Sequence, residues 1–152
     1  MEKRGVLFVC THNSARSQMA EGLLRFHGGD RFDAFSAGSE ATAVRPEAIA
    51  VMDELGIDIS GQESKTVERY LGEPFAWVVT VCDRARQTCP VFPGAENSAH
   101  WSFDDPAEAE GTDDERLEVF RRVRDEINAR IKMFVFAGGR ADLPEQAATA
   151  LG

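Results

Sequence analysis

An apolar run followed at once by a helical pattern is the feature that most limits how this chain can fold. Residues 5–9 are Gly-Val-Leu-Phe-Val, Cys10 closes the run, and the helical pattern starts near Arg16. This order predicts a buried strand, a tight loop and a helix. It places the Cys10 thiol at the carboxyl end of a strand and close to a helix N-terminus, where backbone N–H groups are unpaired and the helix dipole is positive.

The loop that begins at Cys10 combines a nucleophile with groups that bind anions. A thiol beside a helix N-terminus and the fixed charge of Arg16 should ionise more readily than a free one, and Ser17 is expected to donate a hydrogen bond to the thiolate. Asn13 tolerates the left-handed conformation that such a turn requires. We therefore expect a tetrahedral oxyanion to bind the loop residues, which are Thr11, His12, Asn13, Ser14, Ala15 and Arg16. The alternative is a buried cysteine before an ordinary helix start.

Size and charge narrow the class of protein. The chain has 152 residues, of which 43% are hydrophobic, and this suits one domain with a sizeable core. Its net charge of -9, from 26 acidic and 17 basic side chains, disfavours nucleic acids and anionic membranes as partners. No apolar stretch is long enough to span a bilayer and no signal peptide is evident. We therefore expect a soluble cytoplasmic protein with reduced thiols, and the acidic surface favours a monomer.

Strand-like and helix-like segments alternate along the chain. Further strands are predicted at 32–36, 75–81 and, more weakly, 98–103; helices are predicted at 16–26, 46–56 and 67–71, with a last helix opened by the capping-box pair Thr112 and Glu115. The expected buried positions on the three longer helices are Met19, Leu23, Phe26, Ile49, Met52, Leu55, Leu117, Phe120, Val123, Ile127, Ile131 and Phe134. Residues 138–152 are predicted to form a loose tail after a single domain at 1–137.

This alternation predicts an α/β fold with a four-stranded parallel sheet and helices on both faces. In such folds, ligands bind beyond the carboxyl ends of the strands at a topological switch point. Cys10 ends the first strand, and Cys82 follows the apolar strand at 75–81. The fold should therefore bring these two cysteines to the same rim of the sheet.

Cys82 and Cys89 are separated by a segment without glycine or proline, which could be helical. In a helix their Cα atoms would lie about 10.5 Å apart. A disulfide allows about 7 Å at most, so bridging them would require the segment to unwind. The pair could thus report its redox state as a change of shape. The alternatives are two unrelated buried thiols or metal ligands, although the spacing is not that of a common zinc site.

Asp105 precedes Pro106 in a Trp-Ser-Phe-Asp-Asp-Pro stretch that looks like a strand end entering a constrained turn. A carboxyl group held over an oxyanion site can act as a general acid. The alternative is an ordinary Asp-Pro turn. The three histidines, His12, His27 and His100, fit no ligand spacing, so no metal site is predicted.

The stretch from Val6 to Gly22 resembles the signature of the low-molecular-weight protein tyrosine phosphatase fold and, more narrowly, the thioredoxin-coupled arsenate reductases built on it. The resemblance continues to about Phe134 through the segments at 35–38, 57–60, 79–82, 89–90, 101–106 and 122–127. The loop with Cys10 and Arg16 is shared with phosphatases. The added Cys82 and Cys89 are the specific part.

The resemblance implies a mechanism. Cys10 would attack arsenate held by the loop amides and Arg16, and Asp105 would protonate the departing oxygen. Cys82 would then attack the Cys10 adduct and expel arsenite, and Cys89 would attack Cys82 to leave a disulfide that thioredoxin reduces. No bound cofactor is needed, because the thiols supply the two electrons. Phosphate and sulfate would be competing oxyanions.

One departure from the family concerns a cation. In some members the residues matching Asn13, Glu21 and Ser36, with an acidic residue near the position of Lys65, surround a potassium ion. Lys65 supplies its own positive charge here, so we predict weak or no potassium dependence. Ala15 also stands where many relatives have a second cysteine, and His12 stands where many have glycine.

Two other functions remain open on the sequence. A tyrosine or small-molecule phosphatase would use Cys10, Arg16 and Asp105 through a phospho-cysteine. Such enzymes usually carry tyrosines after the acid, whereas Asp105-Pro106 is followed here by Ala107-Glu108. A non-catalytic oxyanion-binding redox sensor would keep the disulfide switch without turnover.

Overall fold

The computed structural model describes residues 3–81 and 94–138. The four strands in this part of the chain are β1 (Arg4–Cys10), β2 (Phe32–Gly38), β3 (Trp77–Thr80) and β4 (Asn97–His100). Its α-helices are α1 (Arg16–Gly28), α2 (Pro46–Asp53) and α3 (Asp113–Phe136), and short 3-10 helices cover Val67–Tyr70 and Pro106–Glu108. No helix in these ranges is at once long and apolar enough to cross a membrane.

The strands form one parallel sheet in the order β2-β1-β3-β4. The α/β fold with a four-stranded parallel sheet is therefore confirmed. The chain first moves from β1 to β2 on one side and then returns to β3 on the other. This reversal places the topological switch point between the carboxyl ends of β1 and β3, directly beyond Cys10.

Both faces of the sheet are covered, which explains why β1 is apolar at every position from Val6 to Val9. On one face, the ring of Phe8 contacts Trp101, which in turn contacts Phe134 of α3. On the other face, Phe35 packs against Tyr70 of the first 3-10 helix. The sheet is thus enclosed between α1 and α3 on one side and the Val67–Tyr70 turn on the other.

The last helix begins where the sequence predicts. Thr112 is the N-cap of α3, its hydroxyl accepts a hydrogen bond from the Glu115 backbone N–H, and the Glu115 carboxylate accepts one from the Thr112 N–H. Each side chain satisfies a donor that the helix start leaves unpaired. Most of the predicted apolar face is buried, and Leu117 is half-buried near the helix start.

Two residues predicted to be buried are exposed. Phe26 is 60% exposed because α1 turns Met19, Ala20, Leu23 and Leu24 inward and leaves Phe26 at the edge of that face. Leu55 is 37% exposed because α2 ends at Asp53, and the chain then reverses through Gly56, whose φ of 76° is left-handed. In α2, the helical periodicity of the sequence continues past Asp53, where the helix stops.

Strand β4 is shorter than the predicted 98–103. Pairing with β3 continues to Trp101, whose N–H donates to the Thr80 carbonyl at 2.8 Å. The chain then leaves the sheet, and the Phe103 carbonyl accepts a hydrogen bond from Arg16. The segment between Cys82 and Cys89, which the sequence allows to be helical, lies outside the described residues, as does the predicted tail at 138–152 apart from Gly138. The domain boundary at 137 therefore stays a prediction.

Candidate active site

Cys10 ends β1 with its side chain almost fully buried, at 3% exposure. Its sulfur lies 2.8 Å from the hydroxyl oxygen of Ser17, which is fully buried in the first turn of α1. Helix α1 begins at Arg16, and its N-cap residue, Ala15, gives no side-chain hydrogen bond to the first backbone N–H groups of the helix. The structure therefore brings the predicted nucleophile, the helix N-terminus and Ser17 together.

The side chain of Asn13 contacts the hydroxyl oxygen of Ser17, the residue that lies against the Cys10 sulfur. Its Oδ1 accepts hydrogen bonds from the Lys65 backbone N–H at 2.8 Å and from Gln18 Nε2 at 2.9 Å, which fixes the orientation of the amide. Its Nδ2 then donates to Ser17 Oγ at 2.8 Å. Because Ser17 Oγ accepts from Asn13, its own hydrogen is left for the Cys10 sulfur. Asn13 has the left-handed φ of 49° that the sequence predicts for this turn.

The carbonyl groups of the loop are all engaged by neighbouring groups. The carbonyls of Thr11, Ser14 and Ala15 accept from the backbone N–H groups of Glu40, Arg45 and Met19, respectively. The His12 carbonyl accepts from the hydroxyls of Thr42 and Ser64, and the Asn13 carbonyl accepts from Gln18 Nε2. The peptide bonds are trans, so each following N–H points opposite to its carbonyl. The N–H groups of residues 12–16 thus point away from these partners.

Gly38 lets this loop lie against the end of β2. A Cβ atom at this position would lie 2.7 Å from the Thr11 carbonyl oxygen and 2.8 Å from both the Asn13 nitrogen and the Cys10 carbonyl oxygen. These are backbone atoms that cannot swing aside. Glycine is therefore required where the second strand approaches the loop.

Arg16 and Asp105 meet at the mouth of the loop. Arg16 Nη1 donates to the Phe103 carbonyl at 3.0 Å, and Arg16 Nη2 lies 3.5 Å from Asp105 Oδ2. Asp105 also caps the Pro106–Glu108 turn, since its Oδ1 accepts from the Ala107 N–H at 3.0 Å. The ordinary Asp-Pro turn that the sequence left as an alternative is thus present. It holds the Asp105 carboxylate beside the guanidinium of Arg16, the predicted anion-binding group.

A buried cluster of charges supports the loop from behind. Glu21 is 5% exposed, and its Oε1 accepts from the Ser36 hydroxyl at 2.7 Å and lies 3.7 Å from Lys65 Nζ. Its Oε2 accepts from Arg25 at 2.8 Å. Asn13, whose Oδ1 is bonded by the Lys65 backbone, joins the same group. The residues that resemble a potassium site therefore come together, and the Lys65 ammonium lies beside the buried carboxylate.

His12 lies at the exposed rim of the loop, where its Nδ1 is 3.3 Å from Glu40 Oε2. Cys82 and Cys89 lie outside the described residues. The last described residue before them, Val81, donates its N–H to the Val9 carbonyl at 2.9 Å, next to Cys10. Within residues 3–81 and 94–138, no three His, Cys, Asp or Glu side chains are arranged to hold a metal ion.

Two contributors to the site were missed by the sequence analysis. Gln18 is fully buried, and its amide nitrogen bonds to both Asn13 and the Glu63 carbonyl. The Phe103 carbonyl orients Arg16. The position of Gln18 next to the apolar Met19 was the one sequence signal for its role. Nothing in the sequence indicates a role for the carbonyl of Phe103.

Comparison with known proteins decides the family. Residues 5–148 match the family described as low molecular weight phosphotyrosine protein phosphatase. The chain belongs to this family. An arsenate reductase of Halalkalibacterium halodurans is 51% identical over 138 residues, which cover 91% of this chain and 99% of that protein.

Solved structures place the chain within the same group. A structure of an arsenate reductase in the phosphate binding state is 36% identical and superposes with a TM-score of 0.77, covering 88% of this chain and 98% of that one. A thioredoxin-dependent arsenate reductase from Corynebacterium glutamicum is 28% identical with a TM-score of 0.64, covering 89% of this chain and 61% of that one. The family fold and the relatives named as arsenate reductases agree with the resemblance seen in the sequence.

Proposed function

We propose that this protein reduces arsenate to arsenite, with the Cys10 thiolate as nucleophile and thioredoxin as the final reductant. The observation that carries the proposal is the 2.8 Å contact between the Cys10 sulfur and the Ser17 hydroxyl, inside a loop whose carbonyls are held away by neighbouring groups. These contacts support a site in which the loop N–H groups would bind an oxyanion beside a buried nucleophile. The similarity to arsenate reductases supports arsenate as the oxyanion.

In the first step, the Cys10 thiolate attacks arsenic and forms a sulfur–arsenic bond. The loop N–H groups and Arg16 hold the arsenate oxygens, and Asp105 supplies the proton with which one oxygen leaves as water. The 3.5 Å contact between Arg16 and Asp105 supports these roles, because it brings the carboxyl group beside the guanidinium that would hold the anion. Phosphate and sulfate have the same shape and should compete for this loop.

In the second step, the Cys82 thiolate attacks the Cys10 sulfur. A disulfide forms, the sulfur–arsenic bond breaks, and its electron pair leaves with arsenic, which is thereby reduced from As(V) to As(III). Cys89 then attacks Cys82 and frees Cys10, and a thioredoxin dithiol reduces the Cys82–Cys89 disulfide. The bond from Val81 to the Val9 carbonyl supports this relay, because the chain meets the Cys10 rim one residue before Cys82.

The test is NADPH consumption in a mixture of arsenate, thioredoxin and thioredoxin reductase. We expect steady consumption by the native protein and its loss in Cys10→Ser, Cys82→Ser and Cys89→Ser. Hydrolysis of aryl phosphates that survives Cys82→Ser and Cys89→Ser, without arsenate turnover in the native protein, would indicate a phosphatase instead. A single stoichiometric oxidation would indicate a redox sensor.

The proposal extends to the setting of the reaction. Thioredoxin and reduced cysteines imply a reducing compartment, so we place the protein in the cytoplasm. We also propose that it acts as a monomer, which sedimentation of the purified protein tests directly.

A further inference from the structure

The first turn of α2 contacts both the oxyanion loop and helix α3. The backbone N–H of Arg45, the N-cap of α2, donates to the Ser14 carbonyl of the oxyanion loop at 2.8 Å. Two residues later, Glu47 Oε2 accepts a hydrogen bond from Arg116 Nη2 of α3, also at 2.8 Å. The start of α2 therefore holds the nucleophile loop directly and is joined to α3 by an ion pair.

The same Arg116 guanidinium reaches the turn that carries Asp105. Its Nη1 donates to the Ala109 carbonyl at 3.1 Å. Ala109 closes that turn, since its N–H donates to the Pro106 carbonyl at 3.1 Å. Asp105 caps the other end and contacts Arg16. The turn is thus held at its start by Arg16 and at its end by Arg116.

The contact between Glu47 and Arg116 is partly shielded from water, with side-chain exposures of 22% and 28%. Burial is the largest single influence and disfavours the charged form of Glu47, but the hydrogen bond from Arg116, a backbone hydrogen bond and the charges of Arg116 and Arg45 together outweigh it and lower the pKa of Glu47 below its ordinary value. Glu47 is therefore a carboxylate at neutral pH. The planar guanidinium of Arg116 donates in two fixed directions at once, to Glu47 and to Ala109. A lysine ammonium lacks this fixed geometry.

We infer that Arg116 and Glu47 are positioning residues that hold the Asp105 turn at a fixed distance from the Cys10 loop. Arg45 joins α2 to the Cys10 loop. The contacts from Glu47 to Arg116 and from Arg116 to Ala109 join α2 to the Asp105 turn. This inference rests on the proposed function, because it requires Asp105 to act on the arsenate bound at Cys10. Neither residue needs to touch the substrate.

The experiment measures how fast protein thiols disappear when the reduced protein is mixed with arsenate in the absence of thioredoxin. Arg116→Met should slow this reaction about 10- to 100-fold, since small misplacements of a reacting group have effects of this size. Inhibition by phosphate should change little, because the bond from Arg45 to the Ser14 carbonyl remains. Arg116→Lys, which keeps the charge without the fork, should recover only part of the rate.

Arg121→Met is the matched control. The Arg121 side chain, which is 33% exposed, pairs with Glu54 at the other end of α2. Its replacement therefore removes a comparable contact between the same two helices. Its reaction rate should be that of the native protein. Thermal unfolding of each variant shows whether it is folded, and Glu47→Gln, which leaves the bond to Ala109 in place, repeats the test should Arg116→Met fail to fold.

The decisive measurement combines Arg116→Met with Asp105→Asn. If Arg116 acts through Asp105, its replacement should have almost no further effect once the acid is gone. An equal loss in both backgrounds, or a native rate for Arg116→Met, would overturn the positioning role. A native rate for Asp105→Asn alone would instead remove Asp105 from the proposed function, so the two failures can be told apart.

Discussion

The Ser17 hydroxyl oxygen lies 2.8 Å from the Cys10 sulfur while accepting a hydrogen bond from the Asn13 amide. In this arrangement the Ser17 hydrogen is available to a Cys10 thiolate. A hydrogen bond to a charged group contributes about 1.5–3 kcal/mol. Ser17→Ala should therefore slow turnover of arsenate about 10- to 100-fold.

The effect of Ser17 can be measured on Cys10 alone by iodoacetamide alkylation at neutral pH, in a background that carries Cys82→Ser and Cys89→Ser. We expect slower alkylation in Ser17→Ala and no change in Ser98→Ala, which alters an exposed serine of β4. An unchanged alkylation rate in Ser17→Ala would contradict a role for Ser17 in stabilising the thiolate.

Gly38→Ala should displace the oxyanion loop. The added Cβ would meet backbone atoms of Thr11, Asn13 and Cys10 at 2.7–2.8 Å, and overpacking of this kind costs about 1–3 kcal/mol. We expect the rise in melting temperature on adding phosphate to be lost in this variant. Gly61→Ala is the control, because a Cβ there meets nothing within 4 Å. A normal response to phosphate in Gly38→Ala would show that the loop tolerates the displacement.

Lys65 should make the protein insensitive to potassium. Its ammonium lies 3.7 Å from Glu21 Oε1, in the group that also contains Ser36 and Asn13. We expect kcat/KM for arsenate to be the same in potassium and sodium salts at equal ionic strength. Lys65→Gln should lower stability, because it removes one of two cations from a buried carboxylate, and should introduce a response to potassium.

The control for Lys65 is Lys132→Gln on the exposed side of α3, which changes net charge equally. A strong potassium effect on the native enzyme would show that the ammonium does not replace the ion. Unchanged stability of Lys65→Gln would show that Arg25 alone suffices to pair with Glu21.

Stability should depend on pH through Glu54. The hydrogen bond from Arg121 is the main cause that lowers its pKa below 4.5, burial opposes it, and Arg124 adds to the lowering. A lowered pKa stabilises the folded state above the ordinary glutamate value, and this contribution disappears as pH falls through the folded-state pKa. Because the carboxylate is 40% exposed, water limits the contribution to about 1 kcal/mol or less.

Urea unfolding of Glu54→Gln at two pH values tests this expectation. The variant should be less stable than the native protein at pH about 7, and the difference should shrink as the pH falls through the lowered folded-state pKa of Glu54. Glu68→Gln, at an exposed position, should show no such pattern. A difference that persists unchanged at low pH would mean that the carboxylate contributes through packing and not through charge.

Local signals in the sequence were reliable where one short segment carries all the required chemistry. The Thr112 and Glu115 capping box forms as predicted, because both partners lie in the same helical turn. The left-handed Asn13 likewise follows from its own conformational preference. The misplaced residues, Phe26 and Leu55, lie at helix ends, where burial depends on which neighbouring element is present and not on periodicity.

The sequence by itself determined the order of strand, loop and helix around Cys10 and hence the rim of the sheet at which the site lies, because hydrophobic periodicity and helix-start chemistry act over a few residues. Only the tertiary structure decided that Arg16 meets Asp105, that Lys65 lies beside Glu21, and that Arg116 joins Glu47 to the Asp105 turn. Each of these contacts joins segments far apart in the chain. Their geometry is set by how the helices pack on the sheet, which no local pattern encodes.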